Sequence, residues 1–162
     1  MNIISNATTP EKSSEPIQEM SPCQVFLIED DVDDRLLAQR ELEKCEHVDV
    51  VVPFPDGKEL LSYMKRQGFM DRSVILFAPL LILVDLEMPR KDGLEVIKEL
   101  KSDSFLKPIP LVVITGTESR RKIQEARRLG ASGVFKKPLD RKMLNAYFQD
   151  GWQWPPQELW NS

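Results

Sequence analysis

The sequence predicts an α/β fold, a doubly wound sheet of five parallel strands with helices on both faces. Short continuous apolar runs recur along the chain, and such runs are typical of strands that are covered on both sides. Segments with helical spacing alternate with them, which favours parallel pairing and right-handed crossovers. Acidic or hydroxyl residues follow directly after three of the runs, as expected where chemistry gathers at the carboxyl edge of such a sheet.

The predicted strands are apolar segments of four or five residues, many of them β-branched. They comprise residues 24–28, 48–52, 80–84, 111–114 and 133–136. Between them, apolar residues recur at helical spacing, which predicts helices with one inward face. These helices comprise residues 33–45, 58–67, a segment that follows Asp92-Gly93, 119–129 and 140–148. Asp31 or Asp33 is expected to cap the first helix.

Three segments lie outside this alternation. Residues 1–22 are rich in Ser, Thr, Pro and Glu, which predicts a flexible N-terminal extension to a domain over residues 23–149. The connection 68–80 is longer than usual, and its apolar piece, residues 74–77, needs cover from the domain or from a partner. The tail, residues 150–162, contains Trp152, Trp154 and Trp160. We interpret the tail either as a brace that packs on the domain or as an interaction surface, because Trp is enriched at binding hot spots.

The length, the net charge, the apolar runs and the cysteine and histidine content together exclude several classes of protein. A length of 162 residues fits one domain with tails. The net charge of -4 argues against a nucleic-acid-binding role for the whole chain. No apolar run is long enough to span a bilayer and no secretory signal is recognisable, so the expected location is cytoplasmic. Cys23 and Cys45 do not form a metal-ligand pattern, and a single histidine, His47, excludes a histidine-rich metal site.

Four polar sites follow predicted strands: Glu29-Asp30, Asp85, Thr115 and Lys137. Because the carboxyl ends of parallel strands share one edge, we expect these side chains to converge. Clustered carboxylates repel one another unless a cation neutralises them, and an all-oxygen ligand set suits magnesium. The sequence therefore predicts a magnesium site with a hydroxyl group beside it.

In this order, the four motifs resemble those of the receiver domain of two-component response regulators, the CheY-like family with a flavodoxin-like fold. The resemblance covers residues 23–149. It rests on Ile28-Glu29-Asp30-Asp31, on the segment Val84-Asp85-Leu86-Glu87-Met88-Pro89-Arg90-Lys91-Asp92-Gly93, on Ile114-Thr115-Gly116 and on Lys136-Lys137-Pro138. One such motif alone is weak, whereas four in order, each at the end of a predicted strand, form a specific signal.

The resemblance implies a phosphoacceptor and a metal site. Asp85 is the expected nucleophile that takes a phosphoryl group from a phosphohistidine, a reaction that depends mainly on positioning and charge neutralisation. Glu29 and Asp30 are expected to hold a magnesium ion, together with the Asp85 carboxylate and the backbone carbonyl of Glu87.

The resemblance also implies residues that respond to phosphorylation. Lys137 is expected to pair with Asp85 at rest and with a phosphoryl oxygen afterwards. Thr115 is expected to donate its hydroxyl to another phosphoryl oxygen, and Gly116 leaves room for the group. The Lys137–Pro138 peptide is cis in many relatives, which would help to aim the lysine.

Two positions depart from the family pattern. Val134 stands where relatives often have an aromatic switch residue, although Phe135 is next to it. A smaller structural change on phosphorylation is therefore expected. Glu87 replaces a commoner small or amide residue, and its carboxylate beside the phosphoryl site is expected to alter dephosphorylation.

Other charged residues have simpler interpretations. Asp31, Asp33 and Asp34 are expected to be solvated or capping residues, because the acidic pair of the family maps to the positions before them. The basic residues within 120–128 and 141–142 are interpreted first as a solvated helix face and second as a protein-contact face.

The resulting prediction is a single-domain response regulator that signals through protein contacts. It is not expected to be an enzyme beyond self-phosphotransfer and autodephosphorylation. The expected partner is a sensor histidine kinase or a histidine phosphotransfer protein, and a homodimer through the face from the fourth to the fifth predicted helix, or through the tail, is a further hypothesis. No nucleic-acid or membrane partner is expected. The alternatives are a phosphatase with an aspartyl nucleophile, which would turn over phosphate esters, and a pseudo-receiver, which would not become phosphorylated.

Overall fold

The computed structural model describes residues 22–89, 92–116, 118–152 and 154–160. All but the last residue of the predicted N-terminal extension, 1–22, lies outside the described residues. Arg90, Lys91 and the side chain of Trp160 also lie outside them.

The five strands of the sheet pair in parallel in the order β2-β1-β3-β4-β5. They are β1 (Cys23–Ile28), β2 (Val48–Phe54), β3 (Leu80–Asp85), β4 (Leu111–Thr115) and β5 (Gly133–Lys136). The predicted fold class is confirmed. The direction of winding reverses between β1 and β3, and ligands of such sheets bind at the carboxyl ends of the strands at this point.

The described helices are α1 (Val32–Glu43), α2 (Gly57–Arg66), α3 (Arg72–Leu76), α4 (Gly93–Ser102), α5 (Arg120–Arg128), α6 (Arg141–Ala146) and α7 (Gln157–Trp160). The five predicted helices correspond to α1, α2, α4, α5 and α6, whereas α3 and α7 were not predicted. The last predicted helix differs in form, because α6 continues as a π-helical turn over Tyr147–Gly151. Among the described residues, no helix has the length and apolar character needed to cross a membrane.

Polar side chains cap the starts of the helices. Asp31 caps α1, since its Oδ1 accepts a hydrogen bond from the Asp34 amide at 2.9 Å, so Asp31 rather than Asp33 fulfils the capping prediction. Asp92 caps α4 through the amide of Leu94 at 3.1 Å. A cap of this kind stabilises a helix by about 1 kcal/mol. The further caps are Asp56, Asp71, Ser119 and Asp140.

Two apolar layers cover the two faces of the sheet. Alternate side chains of β1 point into different layers, because strand side chains alternate between faces: Phe26 and Ile28 into the first, Val25 and Leu27 into the second. The first layer also receives inward residues of α2, α4 and α5, including Leu60, Met64, Val96, Ile97, Leu100 and Ala126. The second receives residues of α1, α6 and the π-helical turn, including Leu42, Leu144 and Phe148.

The connection between α2 and β3 contains α3, which the sequence did not predict. Its five residues are too few to show a helical period. Ile75 is fully buried, and the Leu76 carbonyl accepts a hydrogen bond from the indole of Trp154 at 3.2 Å. Phe77, in contrast, is 87% exposed. The domain and its tail thus cover part of the apolar segment 74–77.

The C-terminal tail packs on the domain. Trp152 is 8% exposed, and its ring centroid lies 5.5 Å from that of Phe148. Trp154 stacks on Trp152 with 6.3 Å between their centroids. Leu159 of α7 is buried in the first apolar layer. Of the two interpretations of the tail, these contacts support the brace.

Candidate functional site

Three of the polar residues that follow or end predicted strands are buried. Glu29, Asp85 and Thr115 are 2%, 2% and 1% exposed, and they make up the buried polar or charged residues of the described chain. Glu29 directly follows β1, while Asp85 and Thr115 end β3 and β4. The parallel register of these three strands places all three side chains at the same edge of the sheet.

The ammonium group of Lys137 lies among three carboxylates at this edge. Its Nζ donates hydrogen bonds to Glu29 Oε2 at 3.0 Å, to Asp34 Oδ2 at 2.8 Å and to Asp85 Oδ2 at 3.1 Å. An ammonium group has three N–H donors. The three carboxylates therefore use all of them.

Backbone contacts fix the loops that carry these side chains. The Lys137 amide donates a hydrogen bond to the Thr115 carbonyl at 2.9 Å, and the Leu86 amide donates one to the Ile114 carbonyl at 2.9 Å. The Lys137–Pro138 peptide is cis, as the resemblance implies. The segments after β3 and β5 are thus both tied to β4.

Both carboxylate oxygens of Asp85 accept hydrogen bonds. Oδ2 accepts a hydrogen bond from Lys137, and Oδ1 accepts one from the Glu87 amide at 3.1 Å.

The start of α4 approaches the end of β3 very closely. A Cβ atom on Gly93 would overlap the Asp85 carbonyl and lie 2.7 Å from Leu86 Cα. Position 93 therefore requires glycine, and this close approach fixes the backbone at the end of β3.

Burial and neighbouring charged groups shift the pKa values of Glu29 and Lys137. Burial raises the pKa of Glu29 to about 7, a hydrogen bond with Asp85 adds to the rise, and the hydrogen bond from Lys137 opposes it. Burial alone would lower the pKa of Lys137, but its hydrogen bonds to Asp34 and Glu29 and the charge of Asp85 raise it overall. Lys137 therefore remains a cation, and one lysine faces three carboxyl groups.

The residues present fit a divalent metal ion. Glu29, Asp34 and Asp85 can each bring a carboxylate oxygen to within 4.8 Å of the others, although the Lys137 ammonium contacts all three. Asp30 is half-buried, and its Oδ1 is buried without a hydrogen-bond partner among the described residues. A cation held by Asp30 and Asp85 would satisfy this oxygen, and hard oxygen ligands suit Mg2+.

Asp34 differs from its prediction as a solvated or capping residue. The cap of α1 is Asp31, and the Asp34 carboxylate forms an ion pair with Lys137 while its side chain is 48% exposed. The sequence indicated that Asp34 lies near the site but not which residue it contacts. Asp34 lies in the first turn of α1, and that end of the helix adjoins the carboxyl edge of the sheet.

The structure gives the positions of the two residues that depart from the expected family pattern, Val134 and Glu87. Phe135 is 4% exposed and packs in the second apolar layer, 5.2 Å from the Tyr147 ring. Val134 packs against the first layer, so the Phe135 ring does not substitute for an aromatic residue at position 134. The carboxylate of Glu87 lies 3.8 Å from the Cβ position of Gly116, beside the loop that follows β4.

The family model of the response regulator receiver domain matches residues 25–149. The chain belongs to this family. Response regulator Rcp1 of Synechocystis sp. is 36% identical over 94 residues, which are 58% of this chain and 62% of Rcp1. FilR2, a probable methanogenesis regulatory protein of Methanothrix harundinacea, is 27% identical over 150 residues, which are 89% of this chain and 94% of FilR2.

Solved receiver structures have the same fold. The phosphorylated cyanobacterial phytochrome response regulator RcpA superimposes with a TM-score of 0.64 at 28% identity, over 83% of this chain and 99% of RcpA. The bacteriophytochrome response regulator RtBRR gives a TM-score of 0.64 at 30% identity, over 86% of this chain and 87% of RtBRR. The Mn2+-bound form of Rcp1 gives 0.62 at 27% identity, over 83% of this chain and 99% of Rcp1.

These comparisons confirm the resemblance to CheY-like receivers. Receiver domains take part in two-component signalling, interact with histidine kinases or phosphotransfer proteins, and are generally not enzymes. In this chain the carboxyl edge of the sheet brings together the buried residues Glu29, Asp85 and Thr115 and the ammonium group of Lys137.

Proposed function

We propose that this receiver domain accepts a phosphoryl group on Asp85 from a sensor histidine kinase or a histidine phosphotransfer protein, and that it signals through protein contacts. The observation that carries the proposal is the Asp85 carboxylate, which is 2% exposed at the end of β3 and accepts a hydrogen bond from the Lys137 ammonium. Phosphoryl transfer depends mainly on positioning and charge neutralisation, and this arrangement supplies both.

In the proposed transfer, an Asp85 oxygen forms a bond to phosphorus while the bond from phosphorus to the donor imidazole nitrogen breaks. The electron pair of the broken bond stays on the imidazole, and the product is an acyl phosphate. Lys137 donates a hydrogen bond to a phosphoryl oxygen, and the Thr115 hydroxyl donates one to another. Attack of water on phosphorus later restores the carboxylate and releases phosphate.

Magnesium would be held by Asp30, Asp85 and the backbone carbonyl of Glu87, with Glu29 beside it. When bound, the ion would neutralise charge on the transferring phosphoryl group. The unpartnered Asp30 oxygen supports this assignment, as does the Mn2+-bound form of the similar protein Rcp1.

A phosphodonor would approach over α1. A cleft of about 500 Å³ beside Lys137 is walled by α1 residues, among them Leu37, and by Pro138 and Leu139. Val32 and Leu37 are 56% and 60% exposed. These apolar side chains give a partner a surface to pack against close to Asp85.

The proposed output surface is the exposed face of α5 and the start of α6. Its basic residues are Arg120, Arg121, Lys122, Arg127, Arg128, Arg141 and Lys142, all of them exposed. A shift of the loop after β4 toward a phosphoryl group would alter this face, and such a population shift requires only different contacts in the two states. If the face supports a homodimer, sedimentation should show association that increases with beryllofluoride.

Labelling with acetyl phosphate and Mg2+ tests the proposal. One acid-stable, base-labile phosphoryl group is expected on Asp85. Asp85→Asn should abolish labelling and Asp30→Ala should weaken both metal binding and labelling, whereas Asp33→Asn, an exposed acid nearby, serves as the matched control. Full labelling of Asp85→Asn would refute the assignment. Absence of labelling in the wild type would instead favour a pseudo-receiver, and turnover of phosphate esters would favour a phosphatase.

A further inference from the structure

We propose that Asp34 is a positioning residue, which holds the Lys137 ammonium in its resting place and thereby opposes its transfer to the phosphoryl group. This inference rests on the proposed function of Asp85 and Lys137. It assigns a role to a carboxylate outside both the acidic pair and the phosphoacceptor motif.

The contact distances place Asp34 among the partners of Lys137. The distance from Nζ to Asp34 Oδ2 is 2.8 Å, compared with 3.0 Å to Glu29 and 3.1 Å to Asp85. The side chains of Glu29 and Asp85 are 3% and 2% exposed, whereas that of Asp34 is 48% exposed. Asp34 is therefore the acceptor nearest to solvent.

The main chain that carries Asp34 is firmly held. Its amide donates a hydrogen bond to Asp31 Oδ1 at 2.9 Å. The next residue, Arg35, donates one from its guanidinium to the Glu29 carbonyl at 3.0 Å and another from its amide to the Asp31 carbonyl at 3.0 Å. The first turn of α1 is thus tied to the end of β1, and the Asp34 carboxylate projects from a fixed backbone.

Phosphorylation changes the demand on Lys137. Its three N–H groups all have carboxylate acceptors at rest, and phosphorylation converts one of these acceptors, the Asp85 carboxylate, into an acyl phosphate. The phosphoryl oxygens lie beyond that carboxylate, so the ammonium group must move to reach one of them, and the Asp34 contact restrains this movement. The Asp34 contact stabilises the resting arrangement, and an exposed ion pair of this kind shifts an equilibrium by about two- to fivefold. Loss of the Asp34 charge should therefore favour the phosphorylated arrangement by a similar factor.

Beryllofluoride affinity at saturating Mg2+, measured by fluorine NMR on the full chain, tests this inference. Asp34→Asn keeps the size of the side chain and an acceptor oxygen but removes the charge, so it should bind beryllofluoride about two- to fivefold more tightly than the wild type. Asp33→Asn removes the same charge from an exposed neighbour and should leave the affinity unchanged. Asp34→Glu should return the affinity toward the wild-type value.

A double-mutant cycle with Lys137→Met separates positioning from simple repulsion of the anion. If Asp34 acts through Lys137, Asp34→Asn should have no effect in the Lys137→Met background. An equal or larger effect in that background would overturn the inference, and so would equal affinities of Asp34→Asn and Asp33→Asn.

Separate measurements test whether each variant folds and whether the proposed function of Asp85 is correct. Thermal unfolding of each variant verifies that it folds, and Asp34→Ser provides a second charge-removing variant if Asp34→Asn does not. A wild-type chain that fails to bind beryllofluoride would contradict the proposed function itself. Normal wild-type binding with no Asp34 effect would contradict only the positioning role.

Discussion

Removal of the Trp152 ring is expected to destabilise the domain strongly. The residue is 8% exposed, and a Trp side chain buries roughly 150–250 Å². At about 25 cal/mol per Å², burial of roughly 200 Å² contributes about 5 kcal/mol, and a compact unfolded chain reduces this value by roughly 10–40%. Trp152→Ala should therefore lower the free energy of unfolding by about 3–4.5 kcal/mol, as large aromatic truncations commonly do. Urea-induced unfolding followed by circular dichroism measures this loss.

Phe77→Ala is the matched control for this substitution. The Phe77 ring is 87% exposed, so its removal should change the free energy of unfolding by no more than about 0.5 kcal/mol. Trp152→Phe should recover most of the loss, because it keeps a ring against Phe148 and removes an indole N–H that has no hydrogen-bond partner among the described residues. An equal, small loss in Trp152→Ala and Phe77→Ala would refute the bracing role of the tail.

Three further predictions concern single side chains. Gly93→Ala should slow acetyl phosphate labelling of Asp85 by between about ten- and a hundredfold, since its Cβ would displace the end of β3, whereas Gly57→Ala should not. Lys137→Ala should still allow some labelling but abolish the beryllofluoride-induced NMR shifts of α5 amides, and unchanged shifts would contradict its switching role. Burial lowers the pKa of Lys101 to about 8, below about 10.4 in the unfolded chain, so the unfolded chain binds more protons above pH 8. The unfolding free energy of the wild type relative to Lys101→Met should therefore rise by about 2 kcal/mol from pH 8 to pH 10, and a flat difference would contradict this desolvation.

A strand could be predicted from the sequence where both of its faces are buried. Every residue of β3 is buried, so its apolar run stands out against the helices and ends visibly at Asp85. The helices α3 and α7 could not be predicted, because five and four residues do not establish a period. The π-helical turn over Tyr147–Gly151 was also missed, since no residue type in it distinguishes this turn from a continuing α-helix.

In the candidate site, too, the sequence predicts some contacts and not others. The placement of Glu29, Asp85 and Thr115 after buried strands predicts that they meet, because parallel strands end at one edge. The contact of Asp34 with Lys137 joins residues 103 positions apart. In the first turn of a helix, a capping acid, a solvated acid and an ion-paired acid have the same sequence pattern. Only the three-dimensional arrangement distinguishes them.

The position of the tail would limit the structural change that follows the proposed phosphorylation of Asp85. Trp152 adjoins the loops that precede β4 and β5, at the edge of the sheet opposite to Asp85. Trp154 packs against both apolar layers, so a movement of one helical layer relative to the other would break its contacts. Val134 offers no ring that must be relocated. We therefore expect the response to phosphate to remain in the loop after Thr115 and in α5, with the two layers unmoved.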